Sequence, residues 1–209
     1  MRHAVHNVHK EKNMLYTDVK ELTYNARSIR AFDGSRPAGE EMLKHFADCA
    51  RLCPSAANLL PLKYRLCYEK GEVDAMFPLT RWAGYIKDRR IPPEGDEPTD
   101  YIIICHDTDV APMTDYSAMD VGIVAQTVNL AAREKGYGCC MIGSFDKKAT
   151  SELLHIPENL TPVLVLAIGT PKESPIVCSV GADGSTKYFR DDAGLHFVPK
   201  RSLEDSLIK

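Results

Sequence analysis

The segment DYSAMDVGIVAQTVNLAAREKGYGCCMIGS, residues 115–144, is the most informative part of the chain about its fold, because it joins the longest periodic segment to a short strand. From Asp115 to Gly136, apolar side chains recur at helical spacing. The apolar face covers most of the circumference of the predicted helix. It carries Val121, Val124, Ala125, Val128, Ala131 and Ala132. A helix this apolar is predicted to be buried or to lie in a subunit interface. The following GYGCCMIG, residues 136–143, predicts that the chain returns in a short strand.

Three other apolar segments predict further strands. Residues 62–69, LKYRLCYE, alternate apolar and polar side chains, which indicates a strand with one buried face. Residues 99–107, TDYIIICHD, form a continuous apolar run of the kind found in fully buried strands. Residues 162–171, PVLVLAIGTP, predict the last central strand, because a run of branched residues closes on Gly169 and Pro171.

Helical periodicity predicts three shorter helices. They run from Leu15 to Leu22, from Met42 to Ala50, and within SFDKKATSELLHIP, residues 144–157, where Ser144 or Asp146 is the expected N-cap. Because helices and strands are mixed without a strict βαβ alternation, we expect an α+β fold with a mostly antiparallel central sheet flanked by helices. The chain has no Walker loop, and no GxGxxG follows a strand, so a P-loop and a Rossmann site are both disfavoured.

Length and composition predict a single domain. The chain has 209 residues and is 44% hydrophobic, which suffices for one core over residues 14–209, with a weakly periodic C-terminal extension beyond Pro175. We expect that extension either to wrap onto a partner or to stay mobile. Residues 1–13 are predicted to be a flexible tail, in which no cluster of cysteines or carboxylates joins His3, His6 and His9 to make a metal site.

Charge, hydropathy and cysteine usage exclude several classes of function. The formal net charge of -3 gives no general attraction for nucleic acid or anionic membranes. The start of the chain lacks the apolar core of a signal peptide, and no apolar run could cross a membrane, so we expect a cytoplasmic protein. Seven cysteines without a CxxC pair are expected to be reduced thiols. The adjacent Cys139 and Cys140 suggest redox chemistry, but such cysteines are commonly core residues.

The segment ARSIRAF, residues 26–32, places two cations beside a hydroxyl at the end of a helical pattern. Arg27 and Arg30 are three residues apart, so both guanidinium groups can point at one site, with Ser28 between them. Guanidinium groups bind phosphate oxygens bidentately, and a hydroxyl adds another donor. The alternative is two solvated arginines that favour the negative end of the helix dipole. The residues alone leave both interpretations open.

A second segment with polar groups, CPSAANLLP, spans residues 53–61. Its small residues would let a flat ligand approach the backbone, while Ser55 and Asn58 offer hydrogen-bond donors and acceptors. A plain turn with Asn58 as a cap explains the same residues equally well.

Taken in order, these segments resemble the nitroreductase family of FMN-dependent NAD(P)H oxidoreductases, from about Tyr24 to the end of the chain. The resemblance rests on ARSIRAF, CPSAANLLP, TPVLVLAIGTP and, most specifically, MDVGIVAQTVNLAAREKGYGCCMIGSF, residues 119–145. In that last block the matching residues are Asp120, Gly122, Gln126, Leu130, Ala131, Ala132, Gly136, Gly138, Ile142, Gly143 and Ser144. The resemblance implies a nitroreductase-like α+β fold and an intertwined homodimer with two active sites at its interface.

The same resemblance implies FMN as the cofactor and a set of residues that bind it. For the phosphate, these are Arg27, Ser28 and Arg30, with Lys187 and Arg190 as candidates for a further basic pair. For the ring and ribityl chain, they are Pro54, Ser55, Ala56 and Asn58 from the partner subunit, together with Ile142, Gly143 and Ser144 along the isoalloxazine.

The implied reaction is a ping-pong transfer of hydride from NADH or NADPH to a nitroaromatic, quinone-like or related small aromatic acceptor. Because the cofactor carries the redox chemistry, no catalytic side chain and no metal are expected. Gly143 and Ser144 stand where many family members have Glu-Gly, and the chain is compact between Gly71 and Pro98. Trp82 and Tyr85 are candidates for an aromatic lid, with ordinary packing as the alternative.

Three other functions remain open. A specialised FMN enzyme, such as a dehalogenase, an azoline oxidase or a flavin-fragmenting enzyme, would share the fold and the cofactor. A flavin-binding or storage protein would bind FMN without physiological turnover. An anion-binding interaction domain would use the arginines without any flavin.

Overall fold

The computed structural model describes residues 18–208, which form two sheets and the helices around them. The helices are α1 (Val19–Asn25), α2 (Gly39–Arg51), α3 (Lys70–Met76), α4 (Asp115–Glu134) and α5 (Lys147–Leu153). The strands are β1 (Leu62–Cys67), β2 (Asp100–Asp107), β3 (Gly138–Ile142), β4 (Leu160–Gly169), β5 (Ile176–Ser179), β6 (Phe189–Arg190) and β7 (His196–Lys200).

The main sheet has the strand order β1-β2-β4-β3, and each neighbouring pair is antiparallel. All eight residues of β2 are buried. Ile102 and Ile104 belong to the core formed with α2 and α4, whereas Tyr101 and Ile103 belong to the core on the side of α3 and α5. Burial on both faces explains why β2 is a continuous apolar run rather than an alternating one. The prediction of an α+β fold with a mostly antiparallel central sheet flanked by helices is confirmed.

Helix α4 packs against α2 and β3 and contacts both of the polar segments singled out in the sequence. It begins at a capping box, in which the backbone N–H of Thr114 donates to Oγ of Ser117 at 3.0 Å. It is followed by Gly136, whose φ of 83° lies in the left-handed region that favours glycine. Val124 and Val128 are buried, as predicted. On the other side of the first half of the helix, Tyr116, Met119 and Ile123 are exposed.

The region beyond Pro175 is more regular than its weak periodicity indicates. Its strands form a second sheet in the order β5-β7-β6, with β5 and β7 parallel and β6 and β7 antiparallel. The rings of Phe189 and Phe197 stack with centroids 5.1 Å apart. The sequence does not reveal this sheet because β6 has two residues and β7 five, too few for a detectable period.

Two smaller predictions are refined. On the face of β1 that was expected to be buried, Leu62, Tyr64 and Leu66 are half-buried. On the opposite face, Cys67 is fully buried, because its end of the strand is covered on that side as well. Asp146, not Ser144, caps α5, since its carboxylate accepts a hydrogen bond from the N–H of Ala149 at 3.0 Å.

The first predicted helix is only partly described. Helix α1 begins at Val19, after Asp18, whose side chain accepts a hydrogen bond from the N–H of Glu21. Residues 1–17, including the predicted tail 1–13 and its three histidines, lie outside the described residues. Across residues 18–208, none of the helices combines the length and the apolar character needed to span a membrane.

Candidate functional site

The arginine segment, residues 26–32, lies beside the edge strand β3 and runs parallel to it. Ser28 forms a bridge with Cys139, and the N–H of Ile29 donates to the carbonyl of Cys139 at 3.0 Å. On its other side, the carbonyl of Ala26 accepts a hydrogen bond from Nδ2 of Asn129 on α4, at 3.2 Å. The segment is therefore fixed by both the sheet and the long helix.

A cavity of about 450 Å³ opens where these elements meet the C-terminal sheet. It is lined by Ala26, Arg27, Ser28, Arg30, Gln126, Asn129, Met141, Tyr188, Val198 and Lys200. Three cations and a hydroxyl thus share one cavity with the amides of Gln126 and Asn129. Such a set of donors suits a phosphate group.

Arg27 combines partial burial with an unused donor. Its Nη2 donates to the carbonyl of Thr23, whereas its Nε is buried and has no hydrogen-bond partner among residues 18–208. Burial lowers the pKa of Arg27, against a smaller opposing effect of Tyr24. A buried donor without an acceptor is costly in an apoprotein and would be satisfied by an anionic oxygen.

Arg30 is held by aromatic and polar neighbours. Its guanidinium carbon lies 4.6 Å from the centroid of the Tyr188 ring, and its Nη1 lies 3.4 Å from Nε2 of His196. Its backbone N–H donates to the carboxylate of Glu173. The two predicted arginines and Ser28 are therefore brought together, as the sequence indicates.

The two candidate C-terminal cations, Lys187 and Arg190, lie outside this cavity. Arg190 forms a buried ion pair with Glu173 and donates to the carbonyl of Gly194 at 2.9 Å. The Nζ of Lys187 lies 5.9 Å from the centroid of the Tyr85 ring. Neither residue lines the cavity, and Lys200 at the end of β7 does. The basic pair in VPKR, residues 198–201, was the available sequence signal for this missed residue.

Residues 54–60 form a strained loop that is held by α4. Three of its non-glycine residues have φ in the left-handed region: Ala57 (49°), Asn58 (54°) and Leu60 (52°). The buried carboxylate of Asp120 accepts a hydrogen bond from the N–H of Ala56 at 3.0 Å, and Oγ of Ser55 accepts one from the N–H of Leu60 at 2.9 Å. Asn58 itself is exposed.

Within one chain, this loop and the arginine segment line different cavities. Pro54 and Ser55 line one of about 390 Å³, and Ala56 lines one of about 470 Å³; Arg27 and Arg30 line neither. Helix α4 separates the two groups, because Asp120 contacts the loop and Asn129 contacts the arginine segment. Nine residues of helix correspond to about 13 Å along its axis.

The third predicted element, Ile142, Gly143 and Ser144, follows directly from β3. Ile142 is buried, whereas Gly143 and Ser144 are exposed. The carbonyl of Ser144 accepts a hydrogen bond from the N–H of Arg81 at 2.9 Å, so the turn after α3 lies beside this segment. The backbone of Gly143 and Ser144 is thus accessible next to Arg81.

The two candidate lid residues differ. The indole N–H of Trp82 donates to Oγ1 of Thr80 at 2.7 Å, and the ring packs on the core, which favours the packing interpretation. Tyr85 is 62% exposed, and its ring lies 5.2 Å from that of Tyr188. Only Tyr85 therefore remains available to cover a ligand.

Thiol and metal chemistry have little support from the described part of the chain. Cys139 and Cys140 are both buried, and burial raises the pKa of each thiol. Between residues 18 and 208, no group of three or more His, Cys, Asp or Glu side chains is arranged to hold a metal ion.

Comparison with known sequences identifies proteins that are similar to this chain. A family model described as the nitroreductase family matches residues 96–170, from just before β2 to just after β4. A protein of Methanothermobacter thermautotrophicus, provisionally named an NADH dehydrogenase/NAD(P)H nitroreductase, is 25% identical over 178 residues, covering 83% of this chain and 88% of the relative.

Comparison of structures gives the same result for the fold. A nitroreductase family protein from Streptococcus pneumoniae matches with a TM-score of 0.63 and 21% identity, over 75% of this chain and 92% of that one. An FMN-dependent nitroreductase from Clostridium difficile matches with a TM-score of 0.58 and 21% identity, over 72% and 87% of the two chains.

Proposed function

This chain has the nitroreductase fold, and we propose that it is an FMN-dependent oxidoreductase that takes hydride from NADH or NADPH and reduces small aromatic acceptors. The observation that carries the proposal is the cavity beside β3, in which Arg27, Ser28 and Arg30 meet Lys200. The names of the relatives support the nicotinamide donor and the flavin.

The residues of the cavity fit the phosphate of FMN. A phosphate monoester carries up to two negative charges and three acceptor oxygens, and the cavity offers three cations, a hydroxyl and two amides. The unpartnered Nε of Arg27 would gain an acceptor from such a ligand. We propose that Arg27, Ser28, Arg30 and Lys200 hold the phosphate, and that Lys187 and Arg190 act outside it.

The flavin ring would then extend from this cavity along β3. We propose that the accessible backbone of Gly143 and Ser144 lies along one edge of the ring, with Ile142 as its buried anchor. The strained loop of Pro54, Ser55, Ala56 and Asn58 would line the ribityl chain and ring of the flavin in the partner subunit. Because the loop and the arginines line different cavities within one chain, this geometry supports a site to which both subunits contribute.

We also propose a homodimer, which an apolar stripe on α4 supports. The outer face of α4 carries Tyr116, Met119 and Ile123, which are 65%, 60% and 41% exposed. They fall at i, i+3 and i+7 and so form one apolar stripe. A stripe of this kind is typical of a subunit contact, and a two-fold axis beside it would bring each loop towards the other chain.

Bound FMN supplies the redox chemistry, since it accepts a hydride from a nicotinamide and passes electrons to an acceptor. The residues of the protein would bind this cofactor and orient it. Arg27, Arg30 and Lys200 would neutralise the phosphate, and the backbone at Gly143 and Ser144 would contact the ring. Tyr85, whose ring lies 5.2 Å from that of Tyr188, would cover part of the site. We propose that nitroaromatic or quinone-like acceptors enter after the nicotinamide leaves, in a ping-pong order.

The visible absorption spectrum of the purified protein tests the proposal. It should show flavin bands that bleach anaerobically with NADH or NADPH, added separately, and return when a quinone or nitroaromatic is added. A flavin spectrum that neither donor bleaches would replace this function by flavin storage. Absence of a flavin spectrum after incubation with FMN would overturn the cofactor, and intersecting double-reciprocal plots would overturn the ping-pong order.

A further inference from the structure

Behind the cavity wall, Arg30 is attached to a buried cluster that joins three distant parts of the chain. Glu173 follows β4, Arg190 lies on β6, and His196 begins β7. The side chains of Glu173 and Arg190 are each 9% exposed, and that of His196 is 1% exposed. The carboxylate of Glu173 accepts hydrogen bonds from the backbone N–H of Arg30 and from the guanidinium of Arg190.

A hydrogen bond between Arg30 and His196 requires one particular tautomer of the imidazole. Nη1 of Arg30 lies 3.4 Å from Nε2 of His196. A guanidinium nitrogen can only donate, so Nε2 must accept and the ring proton must be on Nδ1. Nδ1 lies 3.9 Å from Oε2 of Glu173, beyond hydrogen-bonding distance but close enough for attraction between the N–H and the carboxylate.

This arrangement uses only part of the Arg30 guanidinium. Nη1 lies between Nε2 of His196 and the carbonyl of Ser28, the latter at 3.5 Å. The ring of Tyr188 covers one face at 4.6 Å and packs edge-on against His196, with centroids 5.8 Å apart. Across residues 18–208, no hydrogen bond involves Nε or Nη2 of Arg30. These donors remain for a ligand in the cavity.

We propose that His196 and Glu173 are positioning residues for the phosphate site: neutral His196, oriented by Glu173, accepts a hydrogen bond from Arg30 and so aims the remaining donors of that arginine at the ligand's phosphate. The inference rests on the proposed function and adds to it two residues that the ligand itself does not touch. It also predicts that the site responds to pH.

Protonation of His196 would turn Nε2 into a donor that faces the donor of Arg30. Arg30 and Arg190 are cations beside the ring, Glu173 is the carboxylate that opposes them, and Tyr188 is the remaining titratable neighbour. Arg30 should therefore lose its orientation when the imidazole ring is protonated.

The test compares dissociation constants for FMN and riboflavin from about pH 5.5 to about pH 8.5, in wild type, His196→Gln and His196→Phe. The glutamine oxygen can accept from Arg30 without titrating, whereas phenylalanine keeps the ring packing but not the acceptor. The phosphate of FMN itself takes up a proton near pH 6. The pH dependence of FMN binding in His196→Gln therefore measures the contribution of the phosphate alone. Riboflavin, which has no phosphate, is the control for the rest of the flavin site.

We expect wild type to lose roughly tenfold more FMN affinity at acid pH than His196→Gln does, and His196→Phe to bind FMN roughly tenfold more weakly even at the alkaline end. Riboflavin should bind the three proteins alike. Equal pH profiles for FMN in wild type and His196→Gln would overturn the proposal.

A nitrogen-15 spectrum of the imidazole separates this inference from the proposed function, because it requires no flavin binding. With His196→Gln used for assignment, His196 of the purified protein should show the Nδ1–H tautomer at alkaline pH. The Nε2–H tautomer would overturn the proposal that His196 accepts a hydrogen bond from Arg30. If neither flavin bound at any pH while the Nδ1–H tautomer was observed, the proposed function would fail and the hydrogen-bond arrangement around Arg30 would stand.

Discussion

Ile29 packs so closely on Gly138 that a Cβ built on the glycine would lie 2.6 Å from Cγ1 and 2.8 Å from Cβ of Ile29. These distances are far below van der Waals contact, and the neighbouring atoms belong to a buried, β-branched side chain. The glycine therefore allows the arginine segment to pair with β3. The position of Arg27 and Arg30 therefore depends on a glycine, Gly138, in a different element of the fold.

We expect Gly138→Ala to lower the free energy of unfolding by about 1–3 kcal/mol, as overpacking does, and to weaken FMN binding because the arginine segment is displaced. Urea unfolding and flavin titration measure the two effects. Gly71→Ala on α3 is the matched control, since a Cβ there meets nothing within 4 Å. A Gly138→Ala protein with unchanged stability and FMN affinity would contradict the packing argument.

Lys200 and Lys187 give opposite predictions for the phosphate site. Lys200 lines the cavity with the arginines, whereas Lys187 lies over Tyr85. We expect Lys200→Ala to cost about 1.5–3 kcal/mol of FMN affinity, as loss of a charged hydrogen bond does, and Lys187→Ala to cost less. Titration with riboflavin controls for the ring contacts. A larger loss in Lys187→Ala would restore the assignment expected from the sequence.

Asp120 should stabilise the strained loop of residues 54–60. Removing its carboxylate leaves the N–H of Ala56 without an acceptor, so Asp120→Ala should lower the free energy of unfolding by about 2 kcal/mol. Asp120→Asn should cost less, because the amide oxygen can still accept. Thermal unfolding measures both, with Asp48→Ala, a surface ion-pair residue, as control. Similar losses at positions 48 and 120 would refute this role.

The apolar stripe on α4 should hold the dimer together. We expect wild type to sediment as a dimer and Met119→Glu as a monomer with weakened FMN binding, because a charge in a desolvated interface is costly. Val19→Glu, at a side chain 72% exposed on α1, should leave the dimer intact. A monomeric wild type with full FMN occupancy would show that one chain suffices for the site.

Glu173 should make stability depend on acid pH. Burial alone would raise its pKa, but His196, the N–H of Arg30 and Arg190 outweigh burial and lower the pKa below its usual 4.5. A lowered carboxyl pKa stabilises the fold above the unfolded-state value, and that contribution is lost as the pH falls through the folded-state value. Glu173→Gln should therefore cost about 3 kcal/mol near neutral pH, because it leaves Arg190 buried and unpaired.

The difference in free energy of unfolding between wild type and Glu173→Gln should shrink as the pH falls from about 4.5 through the lowered pKa of the folded-state carboxyl, below which the wild-type side chain is also neutral. Urea unfolding across that range measures it, with the exposed Glu152→Gln as control. A difference that stays constant with pH would show that Glu173 acts through packing rather than charge.

Elements whose signal is local could be predicted from the sequence. The continuous apolar run of β2 and the helical period of α4 each report burial directly, because side-chain direction repeats every two residues in a strand and every 3.6 in a helix. Arg27, Ser28 and Arg30 could be grouped for the same reason, since adjacent residues must lie close together. The small residues of 54–58 marked a special loop, although not its left-handed backbone.

The amino-acid sequence was sufficient to predict the α+β class and the main strands and helices, and it carries the resemblance that points to a flavin site. Only the folded chain shows that Lys200 lines one cavity with the arginines, that Arg190 pairs with Glu173, and that His196 contacts Arg30 across 166 positions of sequence. Periodicity reports which face of an element is buried, but contacts between distant elements depend on register and packing, which no local pattern encodes.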